Sequence, residues 1–333
     1  MKMLFIGGTG IISSACTILA AEKGIELTVL NRGKTDRAIP GSVEMIRGDY
    51  SDEKQIRSLL GKRSFDVVVN WIAFRPAQVE KDIRLFHGKT GQYIFISSAS
   101  AYQTPPSHLP VTESTPLGNP FWLYSQEKIA CENLLINAWR ESDFPVTIVR
   151  PSHTYDERTL PFHYRFTVVA RMRQGKKIII HGDGTSLWTL THHTDFARGF
   201  IGLCGHPRAV GDVFHITSDE ILTWNQIYRT VADAAGGVLN PVHIPSELLA
   251  AWDEENGPNL LGDKSHSLIF DNSKIKRLVP EFNCLIPFHH GAAEIIAWYD
   301  AHPEMQTVDP LIDQMMDKMI TRYLSLWPER SGS

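Results

Sequence analysis

The stretch KMLFIGGTGIIS, Lys2 to Ser13, decides how the rest of the chain is read. KMLFI is a short continuous apolar run, the pattern of a strand covered on both faces. Ile11, Ala15, Ile18 and Leu19 then recur along one face of a helix. Between them stands GGTG. A glycine-rich run alone is weak evidence, but between a buried strand and an amphipathic helix it is a specific signal for dinucleotide phosphate binding. Gly7 permits the tight turn out of the strand, and Gly10 lets backbone approach a pyrophosphate. The helix start, with Thr9, Ile11 and Ile12 around Gly10, turns its N–H groups toward that anion. Ser13 stands where a third glycine usually allows close helix–strand contact, and serine is small enough to fit.

Working outward, the same alternation repeats. ELTVL (Glu26 to Leu30), VEMIRGD (Val43 to Asp49), FDVVVNWIA (Phe65 to Ala73), YIFISS (Tyr93 to Ser98) and PVTIVR (Pro145 to Arg150) read as further strands. Helical patterns separate them, near Glu53 to Leu60, Ala77 to Phe86 and Phe121 to Ala138. Strands that are almost wholly apolar, alternating with helices, predict an α/β chain with a doubly wound, Rossmann-type parallel sheet. Beyond Pro151 the alternation weakens. The expected division is a dinucleotide-binding domain over 1–151 and about 191–217, with a smaller substrate-binding lobe over about 152–190 and 218–333. The lobe ends in an amphipathic helix, Asp309 to Trp327. Two rows, Leu311, Met315, Met319, Tyr323 and Ile312, Met316, Ile320, Leu324, are expected to pack on the body; a lid or a subunit contact is the alternative.

The end of the second strand chooses between NAD and NADP. An acid there would bind the ribose 2′-hydroxyl, but Asn31-Arg32-Gly33 follows the glycines by about 20 residues instead. With no carboxylate to repel phosphate and a guanidinium in reach, the cofactor is read as NAD(P) with NADP favoured; Arg32 stacking on adenine or facing solvent is also compatible. Asp49, closing the third strand, is placed to accept from the adenine amino group.

Tyr124 and Lys128 form YSQEK, and i,i+4 spacing puts both on one helix face. YxxxK is a common accident; its weight comes from opening a helix downstream of Ser97-Ser98. Oxidising an alcohol requires a proton acceptor as hydride leaves. Free tyrosine, with a pKa near ~10, is a poor one. An adjacent ammonium and a positive nicotinamide ring favour the phenolate. A serine hydroxyl can hold the substrate oxygen beside it.

The formal net charge of -4 gives no general attraction to nucleic acid. The basic stretches RMRQGKK (Arg171 to Lys177) and KIKR (Lys274 to Arg277) read as solvated helix ends or loops. Cys16, Cys131, Cys204 and Cys284 form no CxxC and read as reduced thiols of a cytoplasmic protein. GGTG interrupts the only leader-like stretch, and no run approaches the ~18 apolar residues of a membrane span. His192-His193 and His289-His290 are neighbours expected to point apart, so no metal is expected.

In these motifs the chain resembles the extended short-chain dehydrogenase/reductase family, the NAD-dependent epimerase/dehydratase group, over nearly its whole length. The resemblance rests on GGTGIIS, RGDYSD (Arg47 to Asp52), FISSASAY (Phe95 to Tyr102), YSQEK, RPSHTY (Arg150 to Tyr155), GDG (Gly182 to Gly184), HHTDFA (His192 to Ala197) and FHITSDEILTWNQI (Phe214 to Ile227). It implies Ser98 as catalytic serine, Tyr124 as acid/base, and Lys128 as the residue that binds the nicotinamide ribose and tunes Tyr124. It also implies Asp49 and Tyr50 beside adenine, Ala73 along the cofactor groove, and Pro151 to His153, His153 included, near the nicotinamide. A homodimer is implied as well, pairing the Tyr–Lys helix with the helix before it, with Leu134 and Leu135 on the apolar face.

Two departures narrow the expectation. The family's 4,6-dehydratases carry Asp-Glu after the catalytic Ser/Thr, where this chain has Ala99 and Ser100. Many of its epimerases hold substrate phosphate with an arginine after the GDG turn, near which this chain has Trp188, read either as a lobe-core aromatic or as a sugar-stacking one. The sequence therefore points to an NAD(P)-dependent oxidoreductase or epimerase of a sugar-like or polyol alcohol, with room for a phosphate-free substrate. The alternative is a non-catalytic, cofactor-sensing or RNA-binding relative of the same fold.

Overall fold

Met3, Leu4, Phe5 and Ile6 are wholly buried, so the strand that carries them must be covered on both faces and flanked on both edges. The computed structural model describes residues 1–328; the last five residues of the expected lobe lie outside that range. It divides into two units. The first comprises Met1–Thr154, Leu190–Asp219 and Phe270–Leu285; the second takes Tyr155–Thr189, Glu220–Ile269 and the chain from Ile286 on. Phe270–Leu285 thus groups with the first unit, a stretch that weak alternation gives no means of assigning from sequence.

In chain order the first unit runs β1 (Lys2–Ile6), α1 (Ile11–Glu22), β2 (Glu26–Asn31), β3 (Glu44–Arg47), α2 (Glu53–Leu60), β4 (Phe65–Asn70), α3 (Pro76–Phe86), β5 (Thr90–Ile96), α4 (Leu123–Ser142), β6 (Val146–Pro151), α5 (His193–Leu203) and β7 (Asp212–Ile216). The seven strands form one parallel sheet in the order β7-β6-β5-β4-β1-β2-β3. This is the Rossmann-type arrangement that the apolar runs predict. Side chains alternate across it. Met3, Phe5, Val29, Val67 and Val69 pack with Cys16 and Ala20 of α1 and Phe196 and Phe200 of α5. Leu4, Ile6, Leu30 and Val68 pack with Ile56 of α2, Val79 and Phe86 of α3, and Cys131 and Leu135 of α4. Each such side chain, fully buried, contributes about 1.5–3 kcal/mol. Leu135 is therefore sheet core, which corrects its expected place on a dimer face; Leu134 is half-buried against the same cluster. The outward apolar residues at this end are Phe121 and Leu123.

After β3 the chain returns across β1 to form β4, so consecutive connections leave the central strand in opposite directions. That switch opens a crevice beyond the carboxyl ends of β1 and β4, where open α/β sheets bind ligands.

The second unit pairs Ile178–His181 with Pro241–Ile244 in parallel and Leu187–Trp188 with Leu222–Thr223 in antiparallel register. Its last helix, Pro310–Leu324, buries only Met316, Met319 and Ile320; Leu311 is 75% exposed. The inner face is narrower than the two predicted rows because a charge, not a second row, fastens the helix. Arg171 is buried and pairs with Asp313 and, at 2.6 Å, with Asp317, one helical turn apart. Its place in RMRQGKK is a buried clamp, which corrects the solvated reading of that residue. The rings of His192 and His193 lie 4.6 Å apart and those of His289 and His290 4.2 Å apart, against each other rather than apart as expected. Among the described residues no helix is long and apolar enough to cross a membrane.

Candidate active site

The groove begins at the turn out of β1. Gly7 and Gly8 both have left-handed φ values, +100 and +108. A Cβ on Gly7 would sit 3.1 Å from the Cβ of Trp71, and one on Gly8 3.1 Å from Val29. A side chain at either position would be strained by φ and would also press these neighbours aside by a few tenths of an ångström. Gly10 has an ordinary extended conformation as N-cap of α1, so the second strained position is Gly8, which the sequence reading passes over. Gly10 donates its N–H to Ser13 Oγ at 2.7 Å. Ser13 therefore fills the third-glycine site and also holds one amide of the helix start.

A cavity of about 790 Å³ extends from this turn along the carboxyl ends of β1, β2 and β3. Of the residues expected at a cofactor, Gly7, Thr9, Asn31, Arg32, Asp49 and Tyr50 line it. Ile11 and Ile12 lie in the first turn of α1, Ile12 packed toward the core. Lys34, Ile72, Phe74, Gln78 and Lys81 also line it, and sequence reasoning missed them. Ile72 and Phe74 had one available signal: they follow β4, the strand on the far side of the switch point. Both keep 40% or more of their surface exposed, which is large for apolar side chains.

Asn31 Oδ1 accepts the N–H of Gly33 at 2.8 Å, whereas its Nδ2 is buried with no hydrogen-bond partner. An orphaned buried donor of this kind is costly unless a ligand completes it. With the side-chain-free cradle at Gly7, it gives the groove two features that fit a dinucleotide. Asp49 is exposed; the N–H and hydroxyl of Ser51 both donate to its carboxylate and hold it below the usual carboxylate range. Tyr50 turns its ring inward: its hydroxyl donates to Asp82, and the Lys81 ammonium donates to its carbonyl and lies 3.7 Å from its ring centroid. Burial raises the Asp82 carboxyl to about 6, against donations from Tyr50, Tyr93 and Asn70.

The Tyr–Lys helix starts beside this cavity. Asn119 Oδ1 accepts the N–H groups of Phe121 and Trp122, each at 3.2 Å, and sets the entry into α4. Tyr124 and Lys128 then stand one turn apart, with the Lys128 Nζ 5.7 Å from the Tyr124 ring centroid. Lys128 is buried, and its Nζ donates to the carbonyls of Ala73 and Ile96, both at 2.7 Å. Ala73, expected along the groove, is buried and meets this site through its backbone. Burial pulls the Lys128 pKa down to about 7, against the acidic groups of Cys131 and Glu132. Ser98 Oγ lies 2.9 Å from Ser100 Oγ, which in turn accepts from Ser125 Oγ at 2.7 Å. Pro151 closes β6 beside Ile216 of β7, and His153 follows, half-buried.

Beneath this lies a network the sequence did not signal. Glu132, four residues past Lys128, accepts from Ser97 Oγ at 2.5 Å and from Arg150 Nε at 2.9 Å and Nη2 at 2.5 Å. The Arg150 guanidinium lies 4.6 Å from the Tyr102 ring centroid, and Tyr102 OH pairs with His215 Nδ1 at 3.1 Å. The carboxyl ends of β5 and β6 are thereby tied to the helix that carries the Tyr–Lys pair. A phenol beside a buried amine, with serine hydroxyls on the adjoining strand end, is equipped to move a proton at a bound alcohol or carbonyl.

Comparison with known proteins agrees with this architecture. The model of the NAD dependent epimerase/dehydratase family matches residues 3–217. The chain is 24% identical over 285 residues to a 2'-dehydrokanamycin reductase of Streptomyces kanamyceticus, covering 85% of this chain and 80% of that one. It is 26% identical over 251 residues to a chloroplast stem-loop binding protein of 41 kDa of Arabidopsis thaliana, covering 71% and 63%. Its fold matches an epimerase structure from Methanothermobacter thermautotrophicus with a TM-score of 0.75 at 17% identity, over 92% of this chain and 94% of that one.

Proposed function

Because the chain belongs to the NAD dependent epimerase/dehydratase family, we propose that it transfers hydride between NAD(P) and a sugar-like or polyol alcohol, as an oxidoreductase or epimerase, with Ser98, Tyr124 and Lys128 as its catalytic set. The observation that carries the reading is the setting of Lys128. Its nitrogen is buried, held by two carbonyls and directed along the same helix face as Tyr124. A leucine here would leave the Ala73 and Ile96 carbonyls unpaired, but a buried ammonium is a costly way to satisfy them.

In this mechanism Tyr124 moves the proton at the reacting oxygen, and the Ser98 hydroxyl orients that oxygen. Lys128 favours the phenolate when protonated and offers its remaining N–H to a ribose hydroxyl. The nicotinamide ring, when bound, supplies or accepts the hydride. Gly7, Thr9, Gly10, Ile11 and Ile12 would face the pyrophosphate, Asn31 and Arg32 the adenosine ribose, and Asp49 and Tyr50 the adenine. Ala73, Pro151 and His153 would border the nicotinamide half. We favour NADP: no carboxylate follows β2, and Arg32 and Lys34 both line the cavity, suiting a 2′-phosphate. We also propose a cytoplasmic location, with which the free cysteines accord, and a homodimer paired through α3 and α4 with Phe121 and Leu123 outward.

The test is a screen of sugars, glycosides and polyols with both cofactors, followed by nicotinamide absorbance. Tyr124→Phe should lose roughly 10²–10⁴-fold in rate while cofactor affinity is kept; normal turnover would reject the mechanism. The likeness to the stem-loop binding protein supports one second reading, a cofactor-sensing RNA binder. Salt-sensitive RNA binding that survives Tyr124→Phe would favour it.

A further inference from the structure

Asp82, on α3, is wholly buried and gathers donors from three other elements. Its Oδ1 accepts from the hydroxyl of Tyr50, just past β3. Its Oδ2 accepts from Tyr93 OH of β5 at 2.5 Å and from Asn70 Nδ2 at the end of β4 at 2.6 Å. Two of these donors lead to the groove. Tyr50 lines it. Asn70 Oδ1 accepts the N–H of Ile72 at 2.9 Å; Ile72 lines the groove, and the next carbonyl, that of Ala73, holds Lys128. The third donor, Tyr93, is wholly buried in the sheet core.

Charge joins the same arrangement. The Lys81 ammonium donates to the Tyr50 carbonyl and lies 3.7 Å from its ring centroid, and Lys81 also lines the groove. Tyr50 is thus held by its hydroxyl, its carbonyl and its ring face. Burial lowers the Lys81 pKa, and attraction to Asp82 works against that. A buried carboxyl group carries a desolvation cost that an apolar set of the same shape would not, so packing alone does not account for it.

We propose that Asp82 is a positioning residue for the dinucleotide: as a carboxylate it holds Tyr50, Lys81 and the Asn70–Ile72 turn in the arrangement that receives the adenosine half, and its protonation releases them. This rests on the reading of the groove as a dinucleotide site. A protonated Asp82 would place an O–H where three donors already point, so that a tyrosine hydroxyl must turn away, and would take a counter-charge from Lys81. Burial brings the carboxyl up to about 6, within reach of mild acid. The groups around it keep one form there. Burial pushes Tyr50 and Tyr93 well above the usual phenol range and Cys131 of α4 up to about 12. Donations from Arg57 and Arg84 keep Glu53 of α2 below the usual carboxylate range, where Asp49 also lies.

Calorimetry with NAD⁺ tests the proposal, because NAD⁺ has no group that titrates between about pH 5 and 8, whereas a 2′-phosphate does. With a carboxyl near 6, about a tenth of the molecules keep the carboxylate at pH 5, so the apparent Kd there should be roughly tenfold that at pH 8. Asp82→Asn, a stand-in for the protonated form, should bind as weakly at pH 8 as the wild type does at pH 5, with no pH dependence. Tyr50→Phe and Tyr93→Phe each remove one donor from the same carboxylate, and a merely structural Asp82 would respond alike to both. Tyr93→Phe should keep the affinity at pH 8 and move the midpoint to higher pH, since one donor fewer raises the carboxyl. Tyr50→Phe should weaken binding already at pH 8, by roughly tenfold, one hydrogen bond. Lys81→Arg, whose charge does not titrate in this range, should keep the loss in acid; thermal melts establish that each variant folds. Wild-type affinity that is constant or rises toward pH 5, a wild-type pH profile in Asp82→Asn, equal responses to the two tyrosine substitutions, or a pH profile abolished by Lys81→Arg would overturn the proposal. If neither NAD⁺ nor NADP⁺ binds the wild type at any pH, the groove is not a dinucleotide site and the proposal falls with that reading.

Discussion

The two ends of the crevice in the first unit are built on opposite terms. At the β2–β3 end, Arg32, Gly33, Lys34 and Thr35 are exposed, and Asn31 Nδ2 is left without a partner. At the α4 end, Ser97, Lys128, Glu132 and Arg150 are all buried, and each is hydrogen-bonded within the protein. One end waits for a ligand to complete it; the other is complete beforehand. The contrast follows from what each would do. Affinity for a dinucleotide can be gained from groups that order on contact, but a proton donor must be held near its working geometry before the substrate arrives.

The largest effect expected from this contrast lies at the finished end. Glu132→Ala leaves the Arg150 guanidinium buried and unpaired, and should cost about 3–5 kcal/mol in urea unfolding. Replacing both, Glu132→Met with Arg150→Leu, should recover most of it, because a buried ion pair contributes little against a matched apolar pair. A single variant that unfolds at the wild-type midpoint would show that this end is not locked.

A smaller effect should appear in the pH dependence of stability. The folded Lys128 titrates at about 7, against an unfolded value of 10.5. Between these values the unfolded chain holds a proton that the folded one has lost, so stability rises with pH across that window. The wild type should gain on Lys128→Met by up to about 1.4 kcal/mol per pH unit between pH 7 and 9.5. A constant difference between the two proteins would mean that the ammonium keeps its proton in the folded state.

At the unfinished end the effects are smaller and appear in binding. Arg32→Ala should weaken NADPH roughly tenfold, one charge-assisted hydrogen bond, and change NADH little; equal loss with both cofactors would place Arg32 on adenine instead. Asn31→Leu removes the orphaned donor at the cost of the Gly33 contact, and should change the stability of the unliganded protein little while weakening both dinucleotides alike. A clear loss of stability would show that Asn31 serves the apo fold.

Much of the fold could be read from sequence because its signals are local. KMLFI is apolar throughout because β1 is covered on both faces, and GGTG interrupts it because the chain must turn there. The turn was legible, but the choice between Gly8 and Gly10 was not, since the room at Gly8 depends on where Val29 and Thr17 lie. The Tyr124–Lys128 spacing was legible for the same local reason. Ser100, Ser125 and Glu132 were not, because their roles rest on partners as many as 35 residues away. Arg171 and Leu135 show the same limit from opposite sides. A buried guanidinium and a solvated one have the same letter, and a leucine beside an exposed helix stripe does not reveal which way it turns.

The Arg171 clamp bears on how this chain can be shortened. A version cut before Asp309 would discard both carboxylates that pair with the Arg171 guanidinium and bare the surface that Met316, Met319 and Ile320 cover. Such a trimmed protein should collect in inclusion bodies. Adding Arg171→Met to the same trim should return part of it to the soluble fraction.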